Sequence, residues 1–166
     1  VRGTVTQEGY YDDADNRSSE ALAAKSGTSR AMVVALAGNA QGRLCAGISG
    51  AMQSTFGRGA NRNELTKVSA TFESNGAIEE GVILQSLAAE SGAGATSDGP
   101  YDHGAAATRS AAYLQVTELA LGGYTSITVK VQESSDDGAG DAWADIATFT
   151  VVTAESVGER IAIAAS

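Results

Sequence analysis

The residues best equipped for chemistry lie in three short stretches and at one isolated thiol. His103, the single histidine, closes the run DGPYDH together with Asp98 and Asp102. Such a trio suggests a metal site or a general base. The metal reading has no second histidine to draw on, and a general base needs a partnered acid or nucleophile nearby, so a solvated loop histidine is preferred. Asp136, Asp137, Asp141 and Asp145 surround Gly138 and Gly140. Calcium favours carboxylates gathered from one loop, but the alternating acids and closing glutamate of an EF-hand are missing; an acidic hairpin turn accounts for these residues. Gly57-Arg58-Gly59-Ala60-Asn61-Arg62 has the glycine content of a phosphate-cradling loop. It lacks the lysine–serine/threonine pair and the helical pattern that should follow, and a flexible loop fits better. Cys45 is the only cysteine, which excludes an intrachain disulfide and a cysteine-based zinc site and suits a small buried thiol. With no nucleophile elbow either, no catalytic, metal-binding or cofactor-binding residue is assigned. The expectation is a protein that is not an enzyme and takes no cofactor.

The composition points the same way. The chain of 166 residues holds 20 glycines, one proline, and only five tyrosines, three phenylalanines and one tryptophan. Small residues suit short strands, tight turns and closely spaced backbones, and they give little aromatic mass for one dense core. Part of the stabilising burial is therefore expected from neighbouring subunits. The formal charge of −9 is uneven: 10 acids face 8 bases up to Glu90, and 10 face 3 beyond it. An acidic surface without a basic stripe does not bind phosphates tightly. No apolar run approaches the ~20 residues of a membrane-spanning helix, and no charged-then-apolar signal opens the chain. Beginning at Val1 and already strand-like, the chain is expected to lack residues at its start.

The elements that must position these residues are mostly strands. Val1–Tyr11 alternates weakly and runs into an acidic turn. SSEALAAK, Ser18–Lys25, predicts one short helix, with a serine cap, Glu20 in the first turn and Gly27 just beyond its end. Ala31–Leu36 and Gly42–Ser54 read as strands separated by a Gly38-Asn39 turn. Lys67–Ser74 is the cleanest alternation, with Val68, Ala70 and Phe72 on one side. Asn75-Gly76 follows it, predicting a tight hairpin into a return strand at Ala77–Leu87. Ala88–Thr108 has no period and reads as a linker or long surface loop. Strands are then predicted at Tyr113–Leu119, Ser126–Glu133, Trp143–Val152 and Arg160–Ala164. The division expected is a β-domain over 1–88, a linker over 89–108 and a second β-domain over 109–166.

The second domain resembles the C-terminal Ig-like β-sandwich of major tail tube proteins from long-tailed (siphovirus) bacteriophages. The likeness rests on Tyr113-Leu114-Gln115-Val116, Thr128-Val129-Lys130-Val131-Gln132, Asp137-Gly138, Trp143, Phe149-Thr150 and Glu159-Arg160-Ile161. The family's usual further strand of the RYLRV kind is absent. GYYDDADNRSSEALA and the ending Gly76-Ala77-Ile78-Glu79-Glu80-Gly81-Val82-Ile83-Leu84 resemble the tube-forming domain of the same proteins. The stretch Ala31–Leu87 resembles that domain's central strands, so the likeness covers nearly the whole chain. The resemblance implies a mainly β fold: a tail-tube-type β-sandwich or barrel with one short helix, followed by the Ig-like sandwich. It further implies a virion protein, made in the bacterial host cytoplasm, that forms stacked hexameric rings and so a tube.

On that reading the partners are further copies of the chain, other tail proteins, and double-stranded DNA in transit without tight binding; no membrane is involved. Arg58, Arg62, Phe72, Asn75 and Gly76 are the candidate inter-subunit contacts. Glu73, Glu79 and Glu80 are the candidate lining of the lumen, where carboxylates would repel DNA mildly. The competing readings are a capsid decoration protein or adhesin binding a cell-surface ligand, and a secreted or surface β-protein of a bacterium.

Overall fold

The structure, a computed structural model of the chain, describes residues 3–10, 29–60, 62, 65–90, 94, 96–102, 104, 111–155 and 157–163. These residues are mainly β. The strands are β1 (Thr4–Tyr10), β2 (Ser29–Ala35), β3 (Leu44–Gly59), β4 (Lys67–Ser74), β5 (Ile78–Val82), β6 (Ala111–Val116), β7 (Lys130–Glu133), β8 (Ala144–Thr148) and β9 (Val157–Ala162). The helix expected at Ser18–Lys25 lies outside the described residues, as does His103.

Packing groups the chain into two compact units that do not follow chain order: residues 1–31 with 48–78, and 32–47 with 79–166. The sequence reading instead cuts the chain in order, at 88 and 108.

β1, β4, β3 and β2 lie side by side in that order, and β5 also pairs with β3. β4 is central and antiparallel to both neighbours, with Phe72 opposite Val5 on β1 and Gln53 on β3. The alternation read from the sequence holds in part: Val68 and Ala70 are buried and Lys67 and Glu73 exposed, while Ser69, Thr71 and Phe72 are all half-buried. The chain turn expected at Asn75-Gly76 is not there. β4 and β5 both run along β3, residues 51–59 facing β4. Across the junction, Asn75 N–H donates to the Gly50 carbonyl at 2.6 Å and Ser49 N–H to the Ala77 carbonyl at 3.0 Å. Asn75-Gly76 is thus an irregularity between two strands that advance along β3, and the chain reverses instead between antiparallel β3 and β4. The reason is close approach: a Cβ on Gly76 would collide with Ser49 Oγ and lie 3.0 Å from the Gly50 amide. The glycine serves this contact rather than a tight turn.

β3 is longer than its sequence suggested, running through Gly57 and Gly59 where a loop was expected. Its register with β4 shifts between Gln53 and Thr55. Gln53 and Ala51 face inward on one side of the shift, and Phe56 is half-buried on the other. A bulge of this kind changes which residues point inward, so strict period-two reading stops short.

In the second unit, β6 pairs with β9 and β7 with β8. The β6–β9 register sets Ala112 opposite Ile161 and Tyr113 opposite Arg160. One face of this ribbon is mostly apolar: Ala112, Leu114 and Ile161 join Val129, Val131, Ala147 and Phe149 in a core, while Glu159, opposite Leu114, accepts the Thr150 hydroxyl at 2.9 Å. The β7–β8 turn contains Asp137 and Gly138 at φ 60° and 79°. Gly138 also lies beneath Trp143, whose indole Nε1 would be 2.6 Å from an added Cβ. Several described residues of the expected linker are tied down within this unit. Gln41 Nε2–H donates to the Gly99 carbonyl at 2.9 Å, and Glu90 accepts from Ser97 N–H at 3.1 Å.

Gln53 is the exception in the first unit's core: it is 4% exposed, and neither its amide nitrogen nor its oxygen has a hydrogen-bond partner. Leaving such a group unpaired costs about 1–3 kcal/mol. Gln53→Met keeps the volume and removes the cost, so we expect the denaturant midpoint to rise without a change in slope. A fall in midpoint would show that the amide is satisfied in solution.

Candidate functional site

The strongest cluster of ionisable groups is one the sequence could not assemble, because its members are far apart in the chain. Tyr113 and Arg160 are direct cross-strand partners on β6 and β9, on the face opposite the apolar one. Glu79, on β5, lies against both. Arg160 grips its carboxylate with two donors, Nε to Oε2 at 2.8 Å and Nη2 to Oε1 at 2.6 Å, while the Tyr113 hydroxyl donates to Oε2 at 2.5 Å. The guanidinium carbon stands 6.0 Å from the Tyr113 ring centroid. The Arg160 and Glu79 side chains retain only 26% and 21% of their exposure.

This geometry fixes the protonation states. The Arg160 hydrogen bonds hold the Glu79 carboxyl down at about 2, against partial desolvation. Burial, then the hydrogen bond to Glu79, pushes the Tyr113 phenol up to about 12. The guanidinium is raised further, chiefly by Glu79. A general acid or base works best with a pKa near the operating pH, and none of these groups titrates there. The cluster acts as a lock: a bidentate ion pair of fixed charge.

Gly47, on β3, completes it. A Cβ there would collide with the edge of the Tyr113 ring, 2.6 Å from Cζ and 2.7 Å from Cδ2, so the phenol reaches Glu79 only because position 47 is bare.

The residues singled out from sequence are dispersed. Arg58 is exposed on β3 with its guanidinium 5.6 Å from the Phe56 ring centroid, and Arg62 is exposed beyond the strand's end. Gly57 and Gly59 face Ser69 and Lys67 across the sheet; their backbone belongs to a strand, not to a phosphate cradle. Phe72 is half-buried in β4, Asn75 is exposed and Gly76 half-buried. Of the expected lumen residues, Glu73 and Glu80 are exposed, whereas Glu79 is committed to Arg160. Asp98 accepts from Ser86 N–H and Asp102 from Gly104 N–H at 2.7 Å.

Asp136, Asp137, Asp141 and Asp145 do not converge. Asp136 accepts the Gly140 and Asp141 amides at 2.6 and 3.0 Å, which lowers its pKa. Asp141 accepts Ser135 N–H at 3.0 Å, and Asp145 pairs with Lys130 and Gln132. No cluster of three or more metal-ligating side chains occurs among the described residues. Cys45 is half-buried, and burial raises its thiol pKa. No protein-family profile, curated protein or solved structure matches the chain.

Two outcomes test the lock. Glu79→Gln should cost about 1–3 kcal/mol, between the values of exposed and buried pairs. Because the folded pKa lies below the ordinary 4.5, the wild-type advantage should be complete above pH 4.5 and shrink as the pH falls towards 2. An advantage constant through that window in chemical denaturation would refute the ion pair. Separately, Gly47→Ala should displace the Tyr113 ring and reduce stability, and placing it on Tyr113→Ala should recover much of the loss. Equal losses in both backgrounds would show that the ring is not what position 47 meets.

Proposed function

We propose that this chain is a structural virion protein that builds a phage tail tube from stacked six-membered rings and serves as a conduit for the genome. The identity comes from the ordered sequence likeness to tail tube proteins. On this reading the N-terminal strands belong to a tube-type sandwich or barrel, and the C-terminal strands to an Ig-like sandwich. The observation that carries the assembly reading is how little each chain buries by itself. Among the described residues the buried apolar set is Ile48, Ala51, Val68, Ala70, Ala112, Ala147, Phe149 and Val152. Half of it is alanine. Large apolar residues meanwhile remain exposed, among them Leu36 and Leu44 at 60%, Leu87 at 64% and Leu65 at 70%. At ~25 cal/mol per Å² of apolar surface removed from water, covering such side chains in a neighbour is a substantial driving force.

The charge suits a conduit: at −9 overall, the surface gives DNA no reason to dwell. Exposed Arg58, Arg62 and Asn75 and half-buried Phe72 and Gly76 remain candidates for contacts between copies, and Glu73 and Glu80 remain candidates for the bore.

Native mass spectrometry and negative-stain imaging of the purified chain test this directly, rings of six or tubes being expected. Leu36 and Leu44 sit side by side, joined by the Leu36 N–H to Leu44 carbonyl bond at 3.0 Å. Leu36→Glu and Leu87→Glu should therefore shift the population towards monomer while leaving circular dichroism and the unfolding midpoint of the monomer unchanged. Discrete monomers or trimers from the wild type would favour a decoration or adhesin module instead.

A further inference from the structure

We propose that Asn75-Gly76 is a site of spontaneous covalent modification, where the backbone converts to an isoaspartyl linkage through a succinimide. It is the one asparagine–glycine pair in the chain; the other asparagines precede Arg17, Ala40, Arg62 and Glu64. A side chain on the following residue obstructs attack by its nitrogen, and glycine has none. The structure adds three observations. Asn75 is exposed to water, and its side-chain amide has no hydrogen-bond partner among the described residues. The Gly76 amide likewise donates to no acceptor there. The facing residue is Gly50, where even an added Cβ would stay 3.8 Å from the Gly76 nitrogen and 3.9 Å from the Asn75 carbonyl carbon.

The chemistry balances with water and hydroxide alone. Hydroxide removes the Gly76 amide proton, and the nitrogen attacks Asn75 Cγ. The new N–Cγ bond forms as the Cγ–NH2 bond breaks, and ammonia leaves with a proton from water. Water then opens the five-membered imide. Cleavage at Cγ gives an ordinary aspartate. Cleavage at the former backbone carbonyl carbon gives isoaspartate, whose main chain runs through Cβ and Cγ and is one atom longer.

That extra atom falls where the structure tolerates it least. The Asn75 N–H to Gly50 bond and the Ser49 N–H to Ala77 bond bracket Gly76 at 2.6 and 3.0 Å. The Ser74 hydroxyl also donates to the Gly76 carbonyl at 2.7 Å. Gly76 itself is pressed against Ser49. A lengthened main chain cannot keep all of these, so the pairing between Ser49 and Ala77 is released.

The test is ageing of the purified full chain at neutral and mildly alkaline pH, read by peptide mapping with fragmentation that distinguishes isoaspartate from aspartate. Isoaspartate at position 75 should accumulate in proportion to time and to hydroxide, and Asn75→Gln should stay unmodified. Hydrogen exchange should show loss of protection at the Ser49 amide in the aged protein but not in fresh Asn75→Asp, which carries the charge without the extra atom. A wild type that stays intact while a free peptide spanning Ala70 to Glu80 converts would overturn the proposal. So would modification spread evenly over the other asparagines. Loss of Ser49 protection in fresh Asn75→Asp would overturn the account of its consequence.

Discussion

The grip of Arg160 on Glu79 is the interaction on which the second unit depends. It spans 81 residues of sequence and ties β5 to the β6–β9 ribbon by side-chain hydrogen bonds. A partly buried pair of this kind has no large surplus of energy, since desolvation offsets much of the attraction. Its value lies in what it specifies. Arg160 meets Glu79 only while Tyr113 and Arg160 stay opposite one another. A slip of one residue would turn Arg160 onto the face where Ala112, Leu114 and Ile161 pack and strand a charge in the core. Register, core and ion pair therefore stand or fall together, and bare Gly47 is the steric condition for the Tyr113 ring to join them.

The same economy runs through the first unit. Apart from Ile48, its buried face is lined by small or polar side chains such as Ala51, Ala70, Ser74 and Gln53, with Val68 the largest fully enclosed among the described residues. Cores of this kind gain little from dispersion and hydrophobic transfer per residue. Hydrogen-bonded ladders then carry more of the specification, and irregularities in the ladder become points of control. Two of them lie on or beside β3: the shift at Gln53/Thr55, and the Ser49-Gly50 segment facing Asn75-Gly76.

Those irregularities mark the limits of what the sequence made legible. Regular alternation was readable wherever a strand is uninterrupted: β4 is found over Lys67–Ser74, as read, and the β6 and β9 segments lie close to where their patterns placed them. The Asp137-Gly138 turn was readable because two consecutive left-handed residues demand that chemistry. Asn75-Gly76 carried the same signal and meant something else, because a glycine required by a facing backbone and one required by a turn look identical in one dimension. β3 was cut short because its bulge breaks the period. The Glu79–Tyr113–Arg160 lock had no local signal at all: each residue is ordinary in its own segment, and only the pairing of β6 with β9 brings two of them together.

The lock also bears on how charge is distributed over the chain. A carboxylate ionised down to about pH 2 and held by a guanidinium contributes almost no net field beyond its immediate surroundings. Lys130 similarly neutralises Asp145, and Asp136 is wrapped by backbone amides. The acids left to act at long range are therefore the exposed ones, such as Glu73 and Glu80. On the tube reading proposed above, a bore that does not grip DNA would need no more than this: weak repulsion repeated at every ring would add up, while each chain keeps its structurally useful carboxylates for its own fold.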